Sequence, residues 1–152
     1  MNHEVPLDCR VLIADDTGDT QRLFACILRA AGAKVTISRD GVEAVELALA
    51  LPVELGDERR VLSEPYDVIL MDMNMPIMTG YEATKRLRGA GYSGPIIALT
   101  AYVEDHDRES CLEAGCDEYV QKPIDRQALV DLVRRHLHRT EQHEAVASDT
   151  NG

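Results

Sequence analysis

Five polar side chains stand at the ends of short predicted strands, and together they could bind and transfer a phosphoryl group. They are Asp15, Asp16, Asp72, Thr100 and Lys122. Three carboxylates that meet need a cation or a proton, because unit charges about 4 Å apart repel by roughly 4 kcal/mol at an effective dielectric constant of 20. Oxygen ligands suit Mg²⁺, and a hydroxyl and an ammonium would neutralise charge on a phosphoryl group. Asp72 would then be the nucleophile that forms an aspartyl phosphate.

The element that positions Asp72 is the unbroken apolar run 68–71. A run of this kind is typical of a strand that is covered on both faces of a parallel sheet. The strand must end at or just after Asp72, because Met75-Pro76 cannot continue a hydrogen-bonded ladder. On this stretch alone, Asp72 could equally be a residue that caps the next turn. The other apolar runs decide between these interpretations.

Five predicted strands alternate with five predicted helices along the chain. The strands are centred on residues 10–14, 34–38, 68–72, 96–100 and 118–121, and the helices on 23–31, 42–49, 80–88, 104–114 and 126–137. Strict alternation predicts a doubly wound α/β domain, a parallel sheet with helices on both faces. Because the carboxyl ends of parallel strands lie at one edge, the five polar side chains should converge there. The convergence favours a functional site over five unrelated surface residues.

Composition and charge exclude several classes of protein. The chain has 152 residues, 45% of them hydrophobic, and a net charge of −11, which disfavours binding to a nucleic-acid backbone. It has no run of 18 apolar residues and no secretory leader, so we expect a cytoplasmic protein without membrane contact. None of the four cysteines forms a C-x-x-C pair. A zinc site or a disulfide framework is therefore not expected.

The predicted domain occupies residues 9–139, between a leader or linker at residues 1–8 and a disordered tail at residues 140–152. The stretch 51–65 is harder to interpret, since it holds two prolines, a glycine and a charged cluster. It is either a helix extension broken at Pro52 or a long solvated loop. Because long loops are uncommon in compact domains, a short extra helical turn is one expectation there.

Four ordered motifs closely resemble the receiver domain of two-component response regulators. They are Asp15-Asp16, the string from Asp72 to Gly80, Thr100-Ala101 and Lys122-Pro123, and the resemblance covers about residues 10 to 138. It implies the flavodoxin-like sheet order 2-1-3-4-5. It also implies transfer of a phosphoryl group to Asp72 from a phosphohistidine of a partner histidine kinase or histidine phosphotransfer protein.

The resemblance also implies a metal site and a switch. Mg²⁺, which Mn²⁺ could replace, would be bound by Asp16, Asp72 and the backbone carbonyl of Asn74, with Asp15 acting through water. Thr100 and Lys122 would contact the phosphoryl oxygens, and the Lys122-Pro123 bond would be cis. Phosphorylation would draw Thr100 inward and let Tyr119 turn into the space. The readout face would be formed by the fourth helix, fifth strand and fifth helix.

Two departures from the receiver pattern are visible. Thr17 and Thr20 stand where the family often has asparagine, which should leave the metal ligands intact. The segment between Gly41 and Asp72 is about a dozen residues longer than usual, and the excess falls in 51–65. This insertion could be a partner contact or have no function.

The parent protein is a separate question. Few residues follow Arg139, so no DNA-binding output domain is expected. The chain would be a stand-alone regulator or the receiver of a hybrid sensor histidine kinase, and the string 75–84 favours the hybrid. We expect a monomer or weak dimer, and no turnover enzyme beyond self-phosphorylation and self-dephosphorylation.

Three alternatives to a phosphorylated receiver make different demands on the sequence. A phosphatase of the haloacid dehalogenase type would need an acidic residue at position 74, where Asn74 stands. A flavodoxin-like cofactor binder would need a phosphate-binding loop after the first strand, where Asp15 and Asp16 would repel the phosphate. A degenerate receiver that acts by binding alone remains a separate alternative.

Overall fold

The computed structural model of the chain describes residues 5–49, 53–55, 58–60, 66–101 and 105–137. The predicted tail, residues 140–152, lies outside these ranges. Within them no helix is long and apolar enough to cross a bilayer. The elements in chain order are β1 Arg10–Ala14, α1 Gly18–Ala30, β2 Lys34–Ser38, α2 Gly41–Leu49, β3 Val53–Leu55, β4 Glu58–Arg60, β5 Val68–Asp72, α3 Gly80–Gly89, β6 Ile96–Thr100, α4 Asp105–Ala114, β7 Glu118–Gln121 and α5, residues 126–137.

Five of the strands form one sheet in the order β2-β1-β5-β6-β7, and every neighbouring pair is parallel. Counted along the chain, these five strands have the order 2-1-3-4-5, so the predicted sheet is confirmed. All five residues of β5 are buried. The central position of β5 explains why its sequence has no polar break before Asp72.

Two apolar cores cover the two faces of the sheet. In β5, Val68 and Leu70 face one core, whereas Ile69 and Met71 face the other, as the two-residue period of a strand requires. Helices α1 and α5 cover the first core, and α2, α3 and α4 contribute to the second. Leu7, within the predicted leader, is buried in the first core.

Short polar side chains start three of the helices. The Asp40 carboxylate accepts a hydrogen bond from the Glu43 N–H at 2.8 Å, and the Asp125 carboxylate accepts one from the Ala128 N–H at 2.8 Å. The Thr79 hydroxyl accepts one from the Glu82 N–H at 3.2 Å. Each bond satisfies an N–H group that has no partner within its own helix.

The described part of the insertion forms a strand pair. Val53–Leu55 and Glu58–Arg60 pair in antiparallel fashion, with Val53 opposite Arg60 and Leu55 opposite Glu58. The extra helical turn expected there is therefore wrong for these residues. The two strands are separated in sequence by Gly56-Asp57, a composition that is favoured in two-residue hairpin connections. This local signal outweighed the argument from loop length.

Arg88 connects the end of α3 to the loops that precede β6 and β7 through hydrogen bonds and an ion pair. Its guanidinium donates hydrogen bonds to the carbonyls of Tyr92, Gly94 and Gly115 at 2.8–2.9 Å. It also forms a 2.8 Å ion pair with Asp117. A planar guanidinium with several donors in fixed directions suits such a junction. The starts of β6 and β7 are thereby held in place at the sheet edge opposite Asp72.

Candidate functional site

Asp72 is the last residue of β5, and its carboxylate lies at the carboxyl edge of the sheet. The residue is only 6% exposed. One carboxylate oxygen, Oδ1, accepts a hydrogen bond from the Asn74 N–H at 3.0 Å. Burial raises the pKa of Asp72, and the nearby charges of Asp15 and Asp16 act in the same direction. The Asn74 N–H and the Lys122 ammonium oppose that rise without cancelling it.

Asp15 and Asp16 follow β1, the strand beside β5. Asp15 is fully buried, whereas Asp16 is exposed. The Asp15 carboxylate accepts a hydrogen bond from the Thr17 N–H at 2.8 Å, the same two-residue turn that Asp72 forms with Asn74. One carboxylate oxygen from each of the three aspartates lies within 4.8 Å of those of the other two. The adjacent strands therefore bring the three predicted carboxylates together.

Lys122 follows β7 and reaches across to these carboxylates. Its Nζ lies 2.7 Å from Asp15 Oδ2 and 3.6 Å from Asp72 Oδ2. The backbone N–H of Lys122 donates a 2.7 Å hydrogen bond to the carbonyl of Thr100, and the peptide bond to Pro123 is cis. The ammonium thus bridges a buried carboxylate and the candidate nucleophile.

The two residues of the predicted switch lie on neighbouring strands. Thr100 ends β6 and is buried, and Tyr119 of β7 pairs in register with Ala98 of β6. Tyr119 is half-buried and packs against the core that α4 helps to cover. Burial raises the pKa of the Tyr119 phenol. The geometry is that of neighbours on one sheet, and the switching role stays a prediction.

The cluster has the chemistry of a site for a hard divalent cation. It offers three carboxylates, and one ammonium offsets only part of their charge. Oxygen ligands of this type suit Mg²⁺ or Mn²⁺, and the exposure of Asp16 leaves the cluster open to water. The fourth predicted ligand residue, Asn74, is exposed beside Asp72. The residues present therefore fit the implied metal.

One residue that contacts the site was missed from the sequence. The side-chain amide of Gln21 donates a hydrogen bond to the backbone carbonyl of Asp15. Gln21 lies one helical turn after Thr17, and its own N–H bonds to the Thr17 carbonyl at 3.0 Å. The four-residue spacing from Thr17 was available in the sequence as a signal, but polar residues at that spacing are common on any amphipathic helix.

Asp72→Asn is expected to stabilise the metal-free protein at pH 7 by on the order of 1 kcal/mol. The pKa of Asp72 is raised in the folded state, so its ionisation destabilises the fold at any pH above that folded value. The substitution removes this cost. Urea unfolding in EDTA at several pH values measures the effect. The advantage should shrink as the pH falls and the wild-type carboxyl takes up its proton, and a constant advantage at all pH values would contradict the explanation.

The sequence matches the response regulator receiver domain family over residues 11–134. It is 38% identical to histidine kinase 1 of Arabidopsis thaliana, in a match that covers 82% of this chain and 12% of that protein. It is 36% identical to hybrid signal transduction histidine kinase I of Dictyostelium discoideum, over 84% of this chain and 7% of that protein. The response regulator MprA of Mycobacterium tuberculosis is 30% identical, over 93% of this chain and 56% of that protein. The chain therefore spans a small part of the kinases and about half of MprA.

Solved structures agree with the sequence relatives. The receiver domain of a sensor histidine kinase from Pseudomonas aeruginosa, solved with a magnesium ion in its active-site cleft, has a TM-score of 0.71 and 35% identity, covering 86% of this chain and 98% of that one. The receiver domain of the Francisella response regulator 1452 has a TM-score of 0.73 and 28% identity, covering 87% and 98%. With the sheet order and the family match over most of its length, the chain belongs to the response regulator receiver domains, the phosphoacceptor modules of two-component systems.

Proposed function

We propose that Asp72 is the residue that accepts the phosphoryl group, in a Mg²⁺-dependent transfer from a phosphohistidine. The observation that carries the proposal is the buried Asp72 carboxylate at the end of the central strand, with Lys122 Nζ 3.6 Å from its Oδ2. Receiver domains interact with histidine kinases or phosphotransfer proteins in phosphorelays. A partner of that kind, carrying the phosphohistidine, would be the donor here.

The residues of the site divide the work of the transfer. Asp72 Oδ1 is held by the Asn74 N–H, which leaves Oδ2 on the side of Lys122 as the attacking oxygen. As the new P–O bond forms, the P–N bond of the phosphohistidine breaks and its electron pair returns to the imidazole. Lys122 would offset the charge on the transferring oxygens, and Thr100 would contact one of them. A loose transition state needs positioning and charge stabilisation, so no separate base is required.

Mg²⁺ would be held by Asp16, Asp72 and the backbone carbonyl of Asn74, with Asp15 contributing through water. Receiver domains bind Mg²⁺ at an acidic pocket, and the three clustered carboxylates provide such a pocket here. When bound, the metal would neutralise charge on the phosphoryl oxygens that the carboxylates would otherwise repel. Asp15 is buried and paired with Lys122, which supports an indirect role, while exposed Asp16 supports a direct one.

We propose that Thr100 and Tyr119 relay phosphorylation to the face formed by α4, β7 and α5, and that α4 is its movable part. Among the residues with described side chains in α4, those buried against the domain are small, Cys111 and Ala114. Cys111 Sγ lies 3.9 Å from the Tyr81 hydroxyl of α3. Burial raises the pKa of the Cys111 thiol, so this contact is uncharged at neutral pH. A helix held by so little apolar surface belongs to the low-stability end of the fold.

In contrast, hydrogen bonds between polar side chains join α5 to β7. Glu118 of β7 contacts His136 Nε2 and Arg135 of α5, each at 2.5 Å, and His136 is only 3% exposed. Burial alone would raise the pKa of Glu118, but the hydrogen bonds from His136 and Arg135 lower it below its ordinary value. Moving a two-state face from 1:99 to 99:1 needs about 5.5 kcal/mol of differential interaction. Movement of α4 alone would leave these contacts between β7 and α5 intact.

We also propose that the parent protein is a hybrid histidine kinase, in which this domain receives the phosphoryl group within a larger chain. Two of the relatives are histidine kinases many times longer than this match. The response regulator MprA is the type of relative that supports the stand-alone alternative. Identity to the kinases is higher, which favours the hybrid.

Intact mass spectrometry after incubation with Mg²⁺ and acetyl phosphate tests the proposed acceptor. We expect a gain of one phosphoryl group in the wild type and in Asp19→Asn, whose carboxylate lies on the exposed surface of α1. We expect no gain in Asp72→Ala or in EDTA. If the wild type gains nothing from acetyl phosphate or from a phosphohistidine protein, the domain is a degenerate receiver that acts by binding.

A further inference from the structure

The four polar groups of Asp15 all have partners. Its N–H donates to the Ser38 carbonyl at 3.2 Å, and its carboxylate oxygens contact the Thr17 N–H and Lys122 Nζ at 2.8 and 2.7 Å. Its carbonyl accepts a hydrogen bond from the Gln21 side chain. Because Asp15 is fully buried and hydrogen-bonded at every polar atom, its position is fixed, and it constrains the positions of the groups that contact it.

The Gln21 contact differs from the other three because it joins a helix to the end of a strand. The Gln21 N–H bonds to the Thr17 carbonyl, and its side chain reaches back to the Asp15 carbonyl. The side chain therefore closes the turn between β1 and α1 that carries Asp16. Asp16 is exposed, and none of the hydrogen bonds above involves its carboxylate, so its direction depends on the backbone of this turn.

We propose that Gln21 is a positioning residue for the phosphotransfer site. Its amide fixes the turn 15–17, which sets the direction of the Asp16 carboxylate and, through Asp15, the place of the Lys122 ammonium. The inference rests on the proposed Mg²⁺ and Asp72 chemistry and assigns a determinant of that site on α1. Gln21 itself touches neither the metal nor the phosphoryl group.

The physical reason is preorganisation. Without the amide, the Asp15 carbonyl would exchange its partner for water and the turn could adopt other backbone conformations. Binding of a cation would then have to order the turn, and the free energy of that ordering would lower the affinity for the cation. Residues that orient metal ligands typically change metal affinity or activity by 10- to 100-fold when they are replaced. Gln21 contributes one neutral hydrogen bond at a half-buried position. We therefore expect its replacement to weaken Mg²⁺ binding by a factor at the lower end of this range, roughly tenfold.

Two substitutions separate positioning from charge. Gln21→Met keeps the length of the side chain and removes the donor, whereas Gln21→Glu keeps the shape and adds a negative charge. If Gln21 acted only through local charge, Glu would tighten Mg²⁺ binding and Met would leave it unchanged. Positioning predicts weaker binding for both. Arg22→Ala is the matched control, because the Arg22 side chain is 80% exposed and contacts Gly18 and Asp19 of its own helix.

The measurement is an amide NMR titration with Mg²⁺, following the Thr17 and Asn74 N–H signals, together with thermal unfolding in EDTA. We expect the Kd for Mg²⁺ to rise about tenfold in both Gln21 variants and to stay at the wild-type value in Arg22→Ala. The Mg²⁺ concentration that gives half-maximal phosphorylation by acetyl phosphate should rise by the same factor. If Gln21→Met does not fold, Gln21→Glu carries the test.

A Kd within twofold of the wild type in the Gln21 variants would overturn the inference, even if their thermal stability fell. That result would leave Gln21 with a structural role only. The proposed function fails in a different way, through wild-type protein that binds no Mg²⁺ or through Asp72→Ala protein that still gains a phosphoryl group. The two failures are therefore distinguishable in one set of samples.

Discussion

Lys122→Ala is expected to lower the rate of phosphorylation by acetyl phosphate about 10²- to 10³-fold at saturating Mg²⁺. The Lys122 ammonium lies 3.6 Å from Asp72 Oδ2, where the new P–O bond would form. It is positioned before the reaction, and its side chain is only 18% exposed. Removing one such preorganised group from a transition state typically costs a factor of this size. Single-turnover mass spectrometry at several donor concentrations measures the rate.

The Lys122 prediction needs controls for charge and for folding. Lys122→Arg keeps the charge but replaces a compact ammonium by a planar fork, so it should recover only part of the rate. Lys85→Ala removes a positive charge from the exposed face of α3 and should leave the rate unchanged. Circular dichroism must show that Lys122→Ala is folded, since Asp15 loses its counter-ion. A rate within threefold of the wild type would contradict the role given to Lys122.

Gly80→Ala is expected to destabilise the domain by on the order of 3 kcal/mol or more. A Cβ at Gly80 would lie 2.3 Å from the Asp72 carbonyl oxygen and 2.7 Å from the Met73 Cα. Both are backbone atoms of the chain that leads out of β5, so neither can move aside without shifting the acceptor strand. Urea unfolding at pH 7 measures the loss, and phosphorylation of the remaining folded protein should also slow.

Gly89→Ala is the matched substitution on the same helix. It lies at the last position of α3, and a Cβ there would meet nothing within 4 Å. Alanine should stabilise this position by about 0.5–1 kcal/mol, because it loses less conformational freedom than glycine when it enters a helix. The two substitutions are therefore expected to change the stability of the domain in opposite directions. A Gly80→Ala domain as stable as the wild type would show that the start of α3 can separate from β5, and it would contradict this account.

The sequence alone predicted the sheet and the residues that gather at its edge. Three of the five strands were apolar runs ended by a polar residue, and alternation of the strands with helices required a parallel sheet. In such a sheet the ends of β1, β5, β6 and β7 must be neighbours. For that reason the meeting of Asp15, Asp16 and Asp72 with Lys122 needed no tertiary coordinates to be expected. The four ordered motifs also carried the family resemblance.

The form of the insertion was decided by the structure. The stretch between Leu51 and Pro65 has prolines, a glycine and mixed charge. This composition shows neither the hydrophobic period of a helix nor that of a strand clearly. In its described parts, Val53–Leu55 and Glu58–Arg60 form an antiparallel pair. A strand pair depends on contacts between segments, whereas a helical turn depends on its own residues. Gly56-Asp57 was a local signal for a strand pair, but only the pairing of the two segments established it.

The division of roles within the acidic cluster also came only from tertiary structure. Asp15 and Asp16 are adjacent and chemically identical, yet one is fully buried and the other exposed. Lys122, more than a hundred residues away in sequence, lies nearer to Asp15 than to Asp72. Gln21 contacts the same turn from α1, with no distinctive sequence signal. Residue types determined which groups meet at the sheet edge, but packing of distant segments decided the direction of each group, because direction depends on neighbours that the local sequence does not specify.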